Sequence, residues 1–227
     1  MNFTRALLFG LVLFLFMASC NPATRNIYTS QSFSTAARQH KTIAILPFDV
    51  KVGLRPSQMK RMTPEKLYDL ELKHGRAVQS TLQMYFMKYI NHQREVIAVQ
   101  DVRETNRILQ EKDIQPEQLH AIPPTELAAM LGVDAVMTGR LTTEKPYSNA
   151  FAMALAAYTF LYTTEVSNGG PTNMGTATIQ IHDGATGNLL WNYDKMLARS
   201  LGSDTHTIVK AISRKASKKI PYARLRG

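Results

Sequence analysis

Thr176-Ala177-Thr178-Ile179-Gln180-Ile181-His182, then Asp183-Gly184-Ala185-Thr186-Gly187, then Asn188-Leu189-Leu190-Trp191 decide how this chain folds. Ala177, Ile179 and Ile181 alternate with Thr176, Thr178, Gln180 and His182. A period of two puts one face of a strand against a core and the other towards water. Asp183 to Gly187 reads as a tight connection, because aspartate bonds the amides of its own turn and glycine allows a geometry that a side chain obstructs. Leu189 to Leu197, with Leu190, Trp191 and Tyr193, returns as the paired strand. Trp191 is expected in the core or on a sheet face, with its indole N–H satisfied.

Upstream of this hairpin, strands and helices alternate. Thr42-Ile43-Ala44-Ile45-Leu46-Pro47-Phe48 is a short, β-branched run ended by proline, and reads as a buried strand followed by a polar loop. Thr63-Pro64 starts a helix that runs to about Ile90, with Leu67, Leu70, Val78, Leu82, Tyr85, Phe86 and Tyr89 at helical spacing. Gly75 marks a kink or a close contact in it. Glu95 to Val99 is the second strand, and Asp101 caps a helix from Val102 to about Lys112. A short helix through Leu127 and Leu131 ends at Gly132, and Val133 to Leu141 is the third strand. After the hairpin, Ser203 or Asp204 caps a final helix with Ile208, Val209, Ile212 and Ala216 in one stripe, closed by Pro221. The order β-α-β-α-α-β-β-β-α predicts an α/β (α+β) sandwich: a mixed sheet of about five strands with helices packed on it.

The N-terminus has a different character. Arg5 precedes a nearly unbroken apolar run, Ala6 to Phe16, and Met17-Ala18-Ser19 leads to Cys20, the one cysteine in the chain. A basic start, an apolar stretch and small residues at a cleavage point make a secretory signal. The stretch is shorter than the roughly 18 to 20 apolar residues that span a bilayer. The segment resembles a bacterial lipoprotein signal ending in a lipobox, with Met17 where leucine is more usual. The resemblance implies a signal peptide at 1–19, diacylglycerol on the Cys20 thiol and acylation (palmitate) of the new N-terminus. An ordinary signal peptide and an N-terminal membrane helix are the alternatives. Residues 20–40, rich in Ser, Thr, Asn, Gln and Ala, read as a flexible lipid-anchored tether that reaches about 66 Å fully extended.

The remaining residues suit one domain, 41–222, with an insertion at 145–172 and a basic tail at 223–227. The net charge is +10, and seven of the cations lie between Lys210 and the C-terminus, where there is no carboxylate. Basicity of this kind points to nucleic acid, anionic lipid or an acidic partner, and secretion makes nucleic acid the least favoured of the three.

Ile43 to Phe48 ("IAILPF"), Leu131 to Gly139 ("LGVDAVMTG") and Asp183 to Trp191 ("DGATGNLLW") together resemble the CsgG/LpoB-type bacterial outer-membrane lipoproteins. The amino-terminal domain of TolB is similar. The resemblance covers about residues 41–220 and implies a compact α/β sandwich working in the cell envelope. Members of the curli type form oligomeric secretion pores, and members of the LpoB type activate a peptidoglycan synthase. The placement it implies is the outer membrane, lipid-anchored and facing the periplasm, with membrane contact through the anchor and with an envelope protein or a second copy as partner.

No catalytic constellation stands out, and the expectation is a non-enzymatic module without cofactor or metal. The six histidines lack the spacing of a metal site. His182 and Asp183 are adjacent, and neighbours on a strand point to opposite faces. There is no nucleophile elbow and no phosphate-cradling loop. Two stretches remain as interaction surfaces. Tyr147 to Thr164 contains no charge and carries Phe151, Met153, Leu155, Tyr158, Phe160 and Tyr162. It reads as a membrane-facing strand, as an alanine-rich helix or as buried core. The final helix carries Lys210, Arg214, Lys215, Lys218 and Lys219, either as a solvated face or as a contact for anionic lipid or wall polymer.

Overall fold

The computed structural model describes residues 26–90, 97–145, 173–199 and 205–225. Residues 1–19, Cys20, the Phe151 to Tyr162 stretch and Ser203-Asp204 lie outside the described residues.

Seven strands form one mixed sheet: β1 (Ile27–Thr29), β2 (Thr42–Ile45), β3 (Asp49–Val52), β4 (Ala98–Val99), β5 (Ala135–Glu144), β6 (Asn173–Asp183) and β7 (Leu189–Arg199). Their order is β1-β7-β6-β5-β2-β4, and β3 also pairs with β5. Strands separated by helices are parallel, as β2 is to β4 and β5. Parallel neighbours need a crossover, whereas a short turn suffices for antiparallel ones. From β5 outwards the sheet is antiparallel through β6, β7 and β1. β5 is thus the strand at which the two modes meet.

Helices α1 (Phe33–Ala37), α2 (Pro56–Met59), α3 (Pro64–Ile90), α4 (Val102–Glu111), α5 (Pro124–Leu131) and α6 (Thr205–Ser217) accompany the sheet. α3 and α6 cover one face. Their Val78, Leu82, Phe86, Ile208 and Ile212 join Ile43, Ile45, Met137, Ile179, Ile181 and Trp191 in the main core. α4 and α5 cover part of the other face, with Leu109, Leu127 and Leu131 against Ala44, Leu46 and Val136. The division follows the two-residue strand period. The α4 start is capped as expected, since the Arg103 N–H donates to Asp101 Oδ1 (2.8 Å). Gly132 ends α5 in the left-handed region at φ 67°.

The two strands beyond the expected five are β1 and β3. β3 lies where a polar loop was expected after Pro47. Ile45 pairs with Met137 and Asp49 with Arg140, so four steps on one strand face three on the other. The extra residue is a bulge. Proline has no N–H to give to a ladder, so the break falls there, and the chain then rejoins β5. Val50 and Val52 are buried in the core, while Lys51 is exposed. Phe48 turns inwards at the bulge against Gly139, where a Cβ would come within 2.2 Å of its ring. Gly75 is a close contact: a Cβ there would sit 2.3 Å from the Phe48 carbonyl oxygen.

The expected flexible tether at 20–40 is corrected for residues 26–40. Ile27 pairs with Tyr193 and Thr29 with Trp191 at the sheet edge. Phe33 and Ala37 are buried, and the Phe33 ring meets Tyr222 edge-on at 5.1 Å. The apolar residues here are too sparse for a period, yet Ile27, Phe33, Ala36 and Ala37 are received by the core. The boundary at 222 also moves outwards, because Leu225 packs against the main core and its N–H donates to the Tyr222 carbonyl (3.2 Å). Trp191 is fully buried and stacks with Tyr193 at 5.8 Å, but its Nε1 has no hydrogen-bond partner among the described residues. The expected satisfied indole is therefore also corrected.

Candidate functional site

β1 holds the N-terminal end of the described chain to the sheet. The Asp194 N–H donates to the Asn26 carbonyl (2.7 Å) and the Ser30 N–H to the Leu190 carbonyl (2.8 Å). The chain is held to the sheet from Asn26 onwards. Asn21 to Arg25, five residues, separate that point from Cys20. Such a span reaches at most about 20 Å.

A buried polar cluster secures this end segment. His40 Nε2–H donates to Asp183 Oδ1 (2.8 Å), and the Tyr222 hydroxyl donates to His40 Nδ1 (2.5 Å). Asp183 accepts the Thr186 N–H (2.8 Å) and also takes the Thr186 hydroxyl. Burial works to raise the Asp183 carboxyl, but the hydrogen bonds from Thr186 and His40 outweigh it and hold it below the usual carboxylate range. Burial pushes the Tyr222 phenol far above its ordinary value, so it remains a donor. Nearby, the Lys41 and Thr42 N–H groups donate to Asp134 Oδ2 (2.8 and 2.9 Å), and the Gly184 N–H donates to the Asp134 carbonyl (2.8 Å). Acid, imidazole and hydroxyl in series resemble a proton relay. Tyr222 has no exposed surface, however, and a nucleophile must reach its substrate. The cluster joins the N-terminal segment, the β6–β7 turn and the C-terminus.

His182 and Asp183 diverge as expected: the His182 ring lies 3.4 Å from the Gly187 carbonyl, and Asp183 faces His40. Asp49 accepts from Arg140 Nε (3.0 Å), with His120 at 3.8 Å, and ties β3 to β5. Among the described residues no cluster of His, Cys, Asp and Glu is arranged to hold a metal ion.

Of the five candidate cations, Lys210, Arg214 and Lys215 lie on α6, and Lys218 and Lys219 follow its end at Ser217. Lys210, Arg214, Lys215, Lys218 and Lys219 are all exposed, opposite the buried Ile208, Val209, Ile212 and Ala216. Lys218 Nζ lies 5.8 Å from the centre of the Tyr89 ring on α3. α3 packs beside α6, where the Ser217 hydroxyl donates to the Leu82 carbonyl (3.5 Å). Sequence reasoning missed the contribution of α3. Lys73, Arg76 and Lys88 are exposed on it, as are Met84 (56% exposed) and Met87 (41%). The signal was present as a gap, since no carboxylate occurs from Leu72 to Ile90. The other helical layer has the opposite balance: Ile97 to Asp134 holds seven carboxylates against three Lys or Arg. The apolar candidates Phe151, Met153, Leu155, Tyr158, Phe160 and Tyr162 are outside the described residues.

Three solved structures are similar to this chain at a distance. Lipoprotein GNA1162 from Neisseria meningitidis has 12% identity and a TM-score of 0.41, over 79% of this chain and 97% of that one. The PelC dodecamer from Paraburkholderia phytofirmans has 11% identity and a TM-score of 0.39, over 88% and 96%. The LpoB C-terminal domain from Salmonella enterica has 7% identity and a TM-score of 0.33, over 70% and 83%. No function passes to this chain from likenesses this distant. No family model matches the chain, and no curated protein matches it.

Proposed function

We propose that this chain is a lipid-anchored, non-enzymatic binding and assembly module of a bacterial cell envelope. In this reading diacylglycerol on Cys20 holds the α/β domain against the outer membrane on its periplasmic side, where it docks an envelope partner. The observation that carries the reading is the capture of the chain by the sheet at Ile27, seven positions after Cys20. A tether of about 20 Å at most leaves the domain no reach across the periplasm, so it acts at the membrane that holds its lipid. No described helix is long and apolar enough to cross a membrane.

The test is metabolic labelling with palmitate, followed by fractionation. The wild-type chain takes up label and sediments with membranes. Cys20→Ser takes up none, and is either released or retains residues 1–19. Absence of label on the wild-type chain overturns the reading.

A further inference from the structure

We propose that the outer surface of α3 and α6 seats on a bilayer rich in anionic phospholipid, with Met84 and Met87 entering the headgroup–acyl boundary. This rests on the anchoring reading for the presence of a bilayer and adds the orientation of the domain upon it.

The first support is the sorting of charge. From Leu72 to Ile90 and from Thr205 to Lys219 there are eight Lys or Arg and no Asp or Glu, and all eight are exposed. The α4–α5 layer on the opposite face has an excess of carboxylates. A face that serves only solubility carries both signs interspersed. Here the cations gather on α6 and on α3 from Leu72 onwards, a positive surface, while carboxylates are in excess on the α4–α5 layer and at the start of α3 (Glu65, Asp69 and Glu71). A negative surface attracts the first and repels the second, so it selects one orientation.

The second support is apolar. Met84 and Met87 are large side chains exposed within the carboxylate-free part of α3. Apolar side chains set among Lys and Arg are the pattern of helices that lie in a membrane interface. Methionine, unbranched and flexible, adapts to an irregular surface. The Lys218 ammonium over the Tyr89 ring bridges the two helices within the same layer.

The third support is the position of the anchor. β1 is the edge strand beside β7, and α6 packs on β6 and β7. The segment bearing Cys20 therefore leaves from the half of the sheet that α6 covers. An anchor of about 20 Å there can hold the basic layer parallel to the bilayer.

Each cation that reaches the surface strengthens partition about fivefold. The test mixes the full chain with vesicles of phosphatidylglycerol and phosphatidylcholine in equal parts, or of phosphatidylcholine alone. Surface amines are then acetylated and read by mass spectrometry. Lys210, Lys215, Lys218 and Lys219 are expected to react at least about fivefold more slowly on the anionic vesicles, with the protection lost near about 0.5 M salt. Lys112, on the α4 side, is expected to react alike on both. The paired charge reversals Lys215→Glu and Lys218→Glu, both at exposed positions, are expected to lower the preference for anionic vesicles by about 25-fold or more. Equal acetylation on both vesicles overturns the proposal, as does an unchanged preference in the double variant. Protection by a soluble acidic polymer but not by anionic vesicles also overturns it. Failure of palmitate labelling at Cys20 overturns the anchoring reading alone, because the vesicle measurement does not depend on the lipid.

Discussion

His40 Nε2 lies 2.8 Å from Asp183 Oδ1, although 143 positions separate them in the chain. With the Tyr222 hydroxyl on Nδ1, this one imidazole joins the entry of the domain to its hairpin turn and its C-terminus. Removing one partner of a buried hydrogen bond strands the other, which costs more than the bond's own net worth. Tyr222→Phe leaves Nδ1 without a donor and is expected to cost about 1–2 kcal/mol. His40→Ala strands both the carboxylate and the phenol and leaves a cavity, at about 3 kcal/mol. Urea unfolding of the two variants measures both, and a neutral His40→Ala means that the imidazole holds nothing together.

Acid acts on the domain in two stages. Burial lowers the His182 imidazole, and burial together with Arg140 lowers His120. The unfolded chain takes up these protons near pH 6.5, where the folded chain resists them. Stability held above about pH 6.5 is therefore lost as pH falls towards the folded values. The Asp183 carboxyl is also depressed, so its contribution is complete above about pH 3.9 and is lost as pH falls through its folded value. Urea midpoints taken across this range should decline first between about pH 7 and 5 and again below about pH 4. His182→Gln is expected to flatten the first decline and Asp183→Asn the second. A midpoint constant from pH 7 to 5 contradicts the histidine assignment.

The Phe48 ring occupies the space where a Gly139 side chain would be, with 2.2 Å between Phe48 Cε1 and a Cβ placed there. Gly139→Ala is expected to cost about 1–3 kcal/mol, as overpacking does in a dense core. The cost should fall by at least about 1 kcal/mol in a Phe48→Leu background, because contacting sites do not add. Gly132→Ala is the contrast. It meets nothing within 4 Å, and its expected cost of about 1–2 kcal/mol comes from the left-handed backbone alone. No second-site change in packing should relieve it. A double-mutant cycle with additive Gly139 and Phe48 terms would falsify the steric account.

What the sequence disclosed tracks the length and regularity of each element. The 27 residues of α3 and the 11-residue β6 carry enough periods to be read directly. Asp101 and Gly132 mark a helix start and a helix end by local chemistry that needs no tertiary partner. β1 spans three residues and β3 four, too few to show a period, and both exist because a neighbouring strand offers an open edge. The basic stripe on α6 was legible because its cations lie close together in the chain. Its extension onto α3 was not, since the packing of two helices far apart in sequence creates it. The Trp191 indole was misjudged for a related reason: a buried donor is satisfied only by what the fold brings near it.

The capture of residues 26–40 by the domain is open to direct measurement at Phe33. Its ring is buried against Tyr222, and it belongs to the main core. A residue in a flexible tether contributes nothing to folding stability, so its replacement leaves the urea midpoint unchanged. A buried phenylalanine replaced by alanine loses its transfer free energy and leaves a void, about 3–5 kcal/mol in a well-packed core and less where the site can collapse. Phe33 is at the N-terminal edge of the cluster, so Phe33→Ala is expected towards the lower figure, about 3 kcal/mol. Tyr28→Ala serves as the internal control, since Tyr28 is on the same segment but exposed, and is expected to cost under about 0.5 kcal/mol. Equal and negligible effects at the two positions restore the tether and lengthen the reach from Cys20. A large effect at Phe33 alone fixes the domain close to whatever holds its N-terminus.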